Sequence, residues 1–224
     1  MKKRALCFIF VLTLVLSAFP FTALGADNYG IAVSGTVITA ENADDVFGDG
    51  TVSFNPEDET LTLHGAALTA QYFDDAYYGI FIEREKEVTI NVTAESTVIG
   101  EENEGAILCG IYSKNNVKIT GKMLKIVLKK SKTAYGVFSN GDVYFCNSTA
   151  YVDAANATDT GVGIFGETAA KFENVSARFF GTTQAAYTYG TFAIISGSYV
   201  FGNVDATETE PAYNYMITIP DTPD

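Results

Sequence analysis

Apolar and polar residues alternate in short segments along most of the chain. The segments are "LTLHGAALTA", "VTINVTAESTVI", "VKITGKMLKIVL", "VYFCNSTAYVDA", "AKFENVSARFFG" and "AIISGSYVFGN". A period of two is typical of β-strands, because successive side chains point to opposite faces. Helical periodicity is not sustained beyond the N-terminal region. The pattern therefore predicts an all-β protein.

The strands recur at a regular interval. Gly79, Gly110, Gly136 and Gly163 are separated by 31, 26 and 27 residues, and a second marker recurs at Leu63, Ile90, Ile119, Phe145, Phe172 and Ile195. A strand-only unit of this length buries its apolar face only by stacking on its neighbours. The repeat predicts a single-stranded parallel β-helix of about 26–31 residues per coil over residues 26–205. A β-propeller needs longer blades, and an antiparallel sandwich needs no such recurrence.

Each coil begins with one phrase, in which a glycine precedes an aliphatic and then an aromatic residue. We expect the glycine to allow a corner. The aliphatic column is Ile80, Ile111, Val137 and Ile164, and the aromatic column is Phe81, Tyr112, Phe138 and Phe165. Neighbours in a strand face opposite sides, so one column lines the core and the other faces outward or packs beneath a loop.

The first 25 residues read as a secretory signal peptide. Three basic residues precede an apolar run from Ala5 to Leu16, and small residues follow at Ala23 and Gly25. That run is too short to span a bilayer, and no second one follows. We therefore expect a secreted, extracellular protein that does not associate with the membrane after cleavage. Residues 206–224 are predicted to be a C-terminal tail or cap.

The net negative charge of the chain argues against one class of binding partner, nucleic acid. The chain has 14 basic and 27 acidic residues, and loss of Lys2, Lys3 and Arg4 moves the formal net charge from −13 to −16. Such a protein does not bind nucleic acid through bulk electrostatics. Binding of cations or neutral sugars remains open.

The two cysteines outside the predicted signal peptide, Cys109 and Cys146, are predicted to be free and buried. Cys109 directly precedes a marker glycine, whereas Cys146 directly follows an apolar marker. These different places in the repeat argue against the close approach of Cβ atoms that a disulfide needs.

Acidic loops offer a calcium site as a further hypothesis. Asp44, Asp45 and Asp49 lie in "ENADDVFGDG", and Asp74 and Asp75 lie in "YFDDAYY". Carboxylate oxygens are preferred calcium ligands, but neither loop has EF-hand spacing. Turn residues that satisfy the backbone are the alternative interpretation, and the favoured one for each loop alone.

Other polar residues give no convincing catalytic set. His64 falls in a mostly polar column and is expected to face solvent. Seven lysines lie in one coil beside a coil rich in glutamate, with Lys114 next to Glu83, so charge pairing between coils explains them better than a polyanion site does.

The block "ENADDVFGDGTVSFNPEDETLTLHGAALTA", followed by the "YGIF", "CGIYS" and "YGVFSNGDV" phrases, resembles secreted carbohydrate-binding proteins of clostridia and their relatives. The likeness covers roughly residues 31–202. It implies a right-handed parallel β-helix that binds plant or cell-wall polysaccharide outside the cell, with calcium in some members. The chain departs from such proteins in having no Trp.

We therefore expect a non-catalytic polysaccharide-binding protein, with the aromatic column as its candidate contact surface because aromatic rings stack on sugar rings. One alternative is a surface adhesin or structural β-helix that binds protein. Another is a calcium-dependent polysaccharide lyase, which needs carboxylates beside a Lys or Arg base.

Overall fold

A computed structural model describes residues 28–195, 197–204 and 217–218. The predicted signal peptide, residues 1–25, lies outside the described residues, as does most of the predicted tail, residues 206–224. No helix in the described part of the chain is long and apolar enough to cross a membrane.

The described residues form nineteen strands. In chain order they are β1 (Asn28–Val33), β2 (Thr36–Thr39), β3 (Val52–Asn55), β4 (Thr60–His64), β5 (Ala67–Thr69), β6 (Gln71–Phe73), β7 (Ala76–Ile82), β8 (Val88–Ala94), β9 (Ser96–Gly100), β10 (Asn103–Ser113), β11 (Val117–Leu128), β12 (Ser131–Ser139), β13 (Asp142–Ala154), β14 (Ala157–Gly166), β15 (Ala169–Gly181), β16 (Gln184–Thr188), β17 (Thr191–Ile194), β18 (Tyr199–Val204) and β19 (Ile217–Thr218).

The strands coil into a parallel β-solenoid of about five turns, which confirms the predicted fold class. One sheet has the order β16-β14-β12-β10-β7-β1-β2, with β6 paired to β7, and we call it sheet A. The other, sheet B, has the order β19-β18-β15-β13-β11-β8-β4-β3, with β5, β9 and β17 attached. The chain alternates between the two sheets, so every turn contributes one rung to each.

The pairing in sheet A reproduces the predicted repeat. Tyr78, Cys109, Tyr135, Val162 and Gln184 stack in register through β7, β10, β12, β14 and β16. The chain advances 31, 26 and 27 residues between the first four of these positions, and only 22 residues to the last. The final rung is thus shorter than the sequence pattern predicts.

The marker glycines lie within the strands of sheet A, not at a corner as expected. In β10, Leu108 and Ile111 both belong to the core, so two residues instead of one separate them, and the alternation shifts at Gly110. A Cβ atom on Gly110 would lie 2.5 Å from the carbonyl oxygen of Gly136 and 2.5 Å from Ile126 Cγ2. Glycine is required here because the next rung and the core leave no room for a side chain.

The core is a set of apolar columns between the sheets. The aliphatic column Ile80, Ile111, Val137 and Ile164 is fully buried, so it is this column that lines the core. In sheet B, Phe145 and Phe172 stack with ring centroids 5.7 Å apart. Several strands contribute more than one residue to the core, as β8 does with Val88, Ile90 and Val92, and burial of these apolar columns supplies most of the hydrophobic stabilisation.

Two members of the second marker were assigned incorrectly. The true column is Leu61, Ile90, Ile119, Phe145, Phe172 and Ile194, whereas Leu63 pairs with Val92. His64 pairs with Ala94, because the register shifts by one residue after Leu63. The error at Leu63 arises because Leu61 and Leu63 both face the core from β4, so an alternation of period two fits either residue.

Antiparallel strands and a buried ion cluster close the N-terminal end. β1 and β2 form a hairpin on β7, and β3 pairs with β4. Arg84 donates to the carbonyl oxygen of Tyr29 at 2.7 Å and to Glu59 Oε1 at 2.6 Å, and Lys86 Nζ lies 3.1 Å from the same Glu59 oxygen. Glu59 is buried. The cluster ties the terminal hairpin to the first full turn.

We expect Gly110→Ala to lower the free energy of unfolding by about 1–3 kcal/mol, because the added methyl group overlaps the Gly136 carbonyl oxygen, which cannot move aside. Gly105→Ala is a matched control in the same strand, since a Cβ there meets nothing within 4 Å. Chemical denaturation of both variants measures the difference. Equal midpoints would contradict the close approach of the rungs.

The Glu59 cluster predicts a specific pH dependence. Hydrogen bonding from Arg84 lowers the pKa of Glu59. The stability it contributes is therefore present above the ordinary carboxyl pKa and is lost as pH falls through the lowered value. Glu59→Gln should cost about 1.5–3 kcal/mol near neutral pH, and should flatten the dependence of unfolding free energy on pH below about 4.5. An unchanged acid slope in this variant would contradict the assignment.

Candidate functional site

A continuous file of aromatic rings runs along the outer face of sheet A. It contains the four predicted residues and one more, and we call it the aromatic stripe: Phe81, Tyr112, Phe138, Phe165 and Tyr187. Consecutive ring centroids lie 5.1, 5.8, 4.7 and 5.7 Å apart, with interplanar angles of 16–28°. The parallel register places these rings over one another. At about 4.8 Å per rung, five rungs span roughly 19 Å.

A second set of rings flanks the stripe across the glycine positions. Tyr78 packs edge-on against Phe81 at 5.0 Å, and Tyr135 packs edge-on against Phe138 at 5.1 Å. They converge because the alternation of inward and outward residues shifts at each glycine. One residue before the glycine and one residue after it therefore both face outward. These tyrosines were not predicted to be site residues, although the repeat places them in one column with Cys109.

Each end of the stripe has a further ring. Phe73 lies 5.0 Å from Phe81 at the N-terminal end. At the other end, Tyr189 packs edge-on against Phe165 at 5.7 Å and remains 72% exposed. Tyr187 and Tyr189 were not predicted, because their rung departs from the glycine phrase that marked the others.

The rings of the stripe lie outside the core, but they do not form a fully exposed surface. Phe81 and Phe165 are buried, at 8% and 9% exposure, whereas Tyr112 and Phe138 are half-buried. Each ring is covered mainly by the rings before and after it. Within the stripe, the rings therefore cover one another's faces, and Tyr189 contributes the most exposed ring nearby.

Burial controls the protonation of the phenol groups. Desolvation raises the pKa of Tyr78, Tyr112 and Tyr135. Tyr78 donates a hydrogen bond to Asp75 at 2.8 Å, and Tyr112 accepts one from Asn140 Nδ2 at 3.2 Å. These phenols stay protonated across the physiological range and act as neutral hydrogen-bonding groups.

Three of the proposed calcium ligands accept hydrogen bonds: Asp45 and Asp49 within their own loop, and Asp75 from Tyr78. Asp45 Oδ1 accepts from the amides of Asp49 and Gly50 at 3.1 and 3.0 Å. Asp49 in turn accepts from Thr51, which lowers its pKa. Carboxylates used in this way shape turns, as in the alternative interpretation.

The remaining candidates do not add a metal centre. Asp44 and Asp74 are exposed, and Asp74 has a positive φ of 58° in the β6–β7 turn. Across residues 28–195 and the other described positions, no three His, Cys, Asp or Glu side chains are placed to hold a metal ion.

Two other predictions, for His64 and for the cysteines, are confirmed. His64 is exposed, with Nδ1 2.9 Å from Thr93 Oγ1. Cys109 and Cys146 are free and buried, which confirms that prediction.

Three of the seven lysines in one coil pair with glutamates of the preceding coil, so the expected charge pairing accounts for Lys114, Lys129 and Lys130 only. Lys129 lies 2.5 Å from Glu101, and Lys130 pairs with Glu104. Lys114, however, pairs with Glu85 and not with the predicted Glu83. Lys118 and Lys125 instead lie over the rings of Tyr144 and Tyr151.

Comparison of the chain with family models, curated proteins and solved structures gives no match.

The geometry predicts that ring stacking in the stripe also stabilises the fold. Phe138→Ala removes stacked contacts with Tyr112 and Phe165, so we expect a loss of about 2–3 kcal/mol, less than the roughly 3–5 of a fully buried Phe. Tyr112→Phe keeps the ring and should change stability by less than about 1 kcal/mol. Thermal melting of the two variants tests this. A melting temperature for Phe138→Ala equal to that of the unmodified protein would show that the stack contributes nothing.

Proposed function

We propose that this protein is a secreted, non-catalytic protein that binds polysaccharide along the aromatic stripe. The observation that carries the proposal is the unbroken file of five rings on the outer face of sheet A, flanked by protonated tyrosines. An extended glycan chain offers apolar ring faces and hydroxyl groups at regular intervals. A long aromatic surface with phenol groups matches both features.

Tyr189 is the residue best placed to stack on a sugar ring. Its side chain is 72% exposed, and it lies within 5.7 Å of both Phe165 and Tyr187. The covered rings of the stripe would then present edges and hydroxyls to the next sugar units. The resemblance of residues 31–202 to secreted carbohydrate-binding proteins, which is carried by the block at residues 41–70 together with the glycine phrases, supports the same function.

We propose binding without cleavage because of the side chains in the two outward columns of sheet A. The two columns that form the surface contain aromatic residues, Cys109, Val162 and Gln184. Neither column contains a carboxylate or a basic side chain, and the carboxylate of Asp75 beside them accepts a hydrogen bond from Tyr78. A lyase needs such a pair convergent on the sugar.

A protein-binding adhesin is the second candidate. It is favoured by the mutual covering of the rings, since a stripe with few open ring faces offers apolar edges that suit a protein surface as well as a sugar. The assay below separates the two functions.

The test is affinity electrophoresis in gels containing pectin or xylan, with pull-down on cellulose and peptidoglycan, each with calcium and with EDTA. We expect retention by at least one glycan and no release of oligosaccharides. Tyr189→Ala should weaken binding by about 1–2 kcal/mol, or roughly 5- to 30-fold. The fold should be unaffected, because the ring is exposed.

Tyr72→Ala is the matched control, because Tyr72 is 63% exposed and packs against Tyr77, not against the stripe. Equal loss in both variants would remove the stripe from the proposal. Absence of retention by every glycan would refute carbohydrate binding and favour the adhesin, and unsaturated products would favour the lyase.

A further inference from the structure

A polar groove lies on sheet B, away from the aromatic stripe. It follows the bend at which β11, β13 and β15 turn from their first half to their second, and has a volume of about 270 Å³. Its lining includes Asn147, Thr149, Asn174, Ser176 and Tyr199, and contains no charged residue. The volume is slightly below that of typical small-molecule sites, which suits a single sugar ring.

Backbone geometry explains why the bend contains only glycine and asparagine. Gly121, Asn147, Asn174 and Gly197 have φ values of 98°, 48°, 51° and 81°. These two residue types adopt left-handed conformations at the least cost. Glycine would therefore satisfy the bend at Asn147 and Asn174 as well, so backbone geometry alone does not require their amide groups.

The two amides make few bonds to the rest of the protein. Asn174 Nδ2 donates to Asn147 Oδ1 at 2.7 Å, and Asn147 Nδ2 lies 3.3 Å from the weak acceptor Cys146 Sγ. No described residue donates to Asn174 Oδ1. Other asparagines bond to the backbone instead, as Asn115 does to Arg84 and Asn156 to Leu128. The pair thus presents one acceptor, Asn174 Oδ1, and one weakly bonded donor, Asn147 Nδ2, at the surface.

Hydroxyl and phenol groups lie directly beside the amides. Thr149, Ser176 and Tyr199 stack in register on the outer face, two residues beyond the bend in each rung. Ser176 is exposed, and Tyr199 is 46% exposed. Amides that donate and accept, a hydroxyl, and an open phenol ring form the set that a neutral sugar uses for hydrogen bonding and stacking.

We propose that this groove is a second sugar subsite, in which Asn147 and Asn174 hydrogen-bond the hydroxyls of one pyranose and Tyr199 stacks on its ring. The inference rests on the proposed carbohydrate binding and adds a contact surface on a different sheet. A protein with both surfaces holds two glycan segments at once. Such a protein gains affinity for dense polysaccharide by multivalency.

The first test maps contacts on the unmodified protein. Cellotetraose, xylotetraose and trigalacturonate are titrated into ¹⁵N-labelled protein, and amide shifts are followed by NMR. We expect shifts at Asn174, Ser176 and Gly197 in addition to shifts along the stripe. Shifts along the stripe alone would overturn the second subsite and leave the proposed function intact, whereas no shift anywhere would overturn both.

The second test uses Asn147→Gly with Asn174→Gly, which copies the neighbouring bends at Gly121 and Gly197 and so preserves the backbone. We expect the dissociation constant at the groove to rise at least tenfold, with stripe shifts unchanged. Tyr199→Ala should act in the same way, and Tyr199→Phe should retain most of the affinity. Tyr72→Ala is the control for loss of an exposed phenol. Unchanged groove affinity in the double variant would refute the role of the amides.

Discussion

The approach of neighbouring rungs at the glycine column is the constraint on which sheet A depends. At Gly79, Gly110, Gly136 and Gly163, a Cβ atom would lie 2.3–2.6 Å from a carbonyl oxygen of the next rung. Four positions in register therefore exclude every side chain. At each of these glycines the alternation of inward and outward residues shifts. One outward residue before the glycine and one after it therefore lie close together. The aromatic stripe and its flanking tyrosines converge as a direct result.

Interactions between adjacent rungs recur on every surface of the solenoid. The rings of the stripe, the Phe145–Phe172 pair in the core, the lysine–glutamate pairs and the Asn147–Asn174 amides all join equivalent or nearby positions one turn apart. Each such contact has a partner only because the parallel register holds. The exposed ion pairs add little individually. Apolar and aromatic columns are the stronger determinants of register, since a slip of one residue would exchange the inner and outer faces.

Periodicity was sufficient to predict the rungs, because a spacing of two within strands and a regular spacing between glycines leave few alternatives to a parallel coil. It was insufficient at the ends, where Leu63 and Ile195 were placed in the wrong column. Leu61 and Leu63 both face the core from the same strand, so alternation alone does not choose between them. The four stripe residues were found as a column, but their mutual covering depends on ring orientation. The groove was missed because its asparagines read as ordinary turn residues.

Stacking of equivalent units also has a genetic consequence. Because each rung contacts mainly its nearest neighbours, an in-frame duplication of a segment such as residues 136–162 inserts a complete turn without changing the turns beside it. The new rung carries its own glycine, core residue and outward ring. The aromatic surface then becomes longer by about 4.8 Å, and one recombination event changes the length of the proposed binding surface. The number of turns, not a loop sequence, therefore sets how long that surface is.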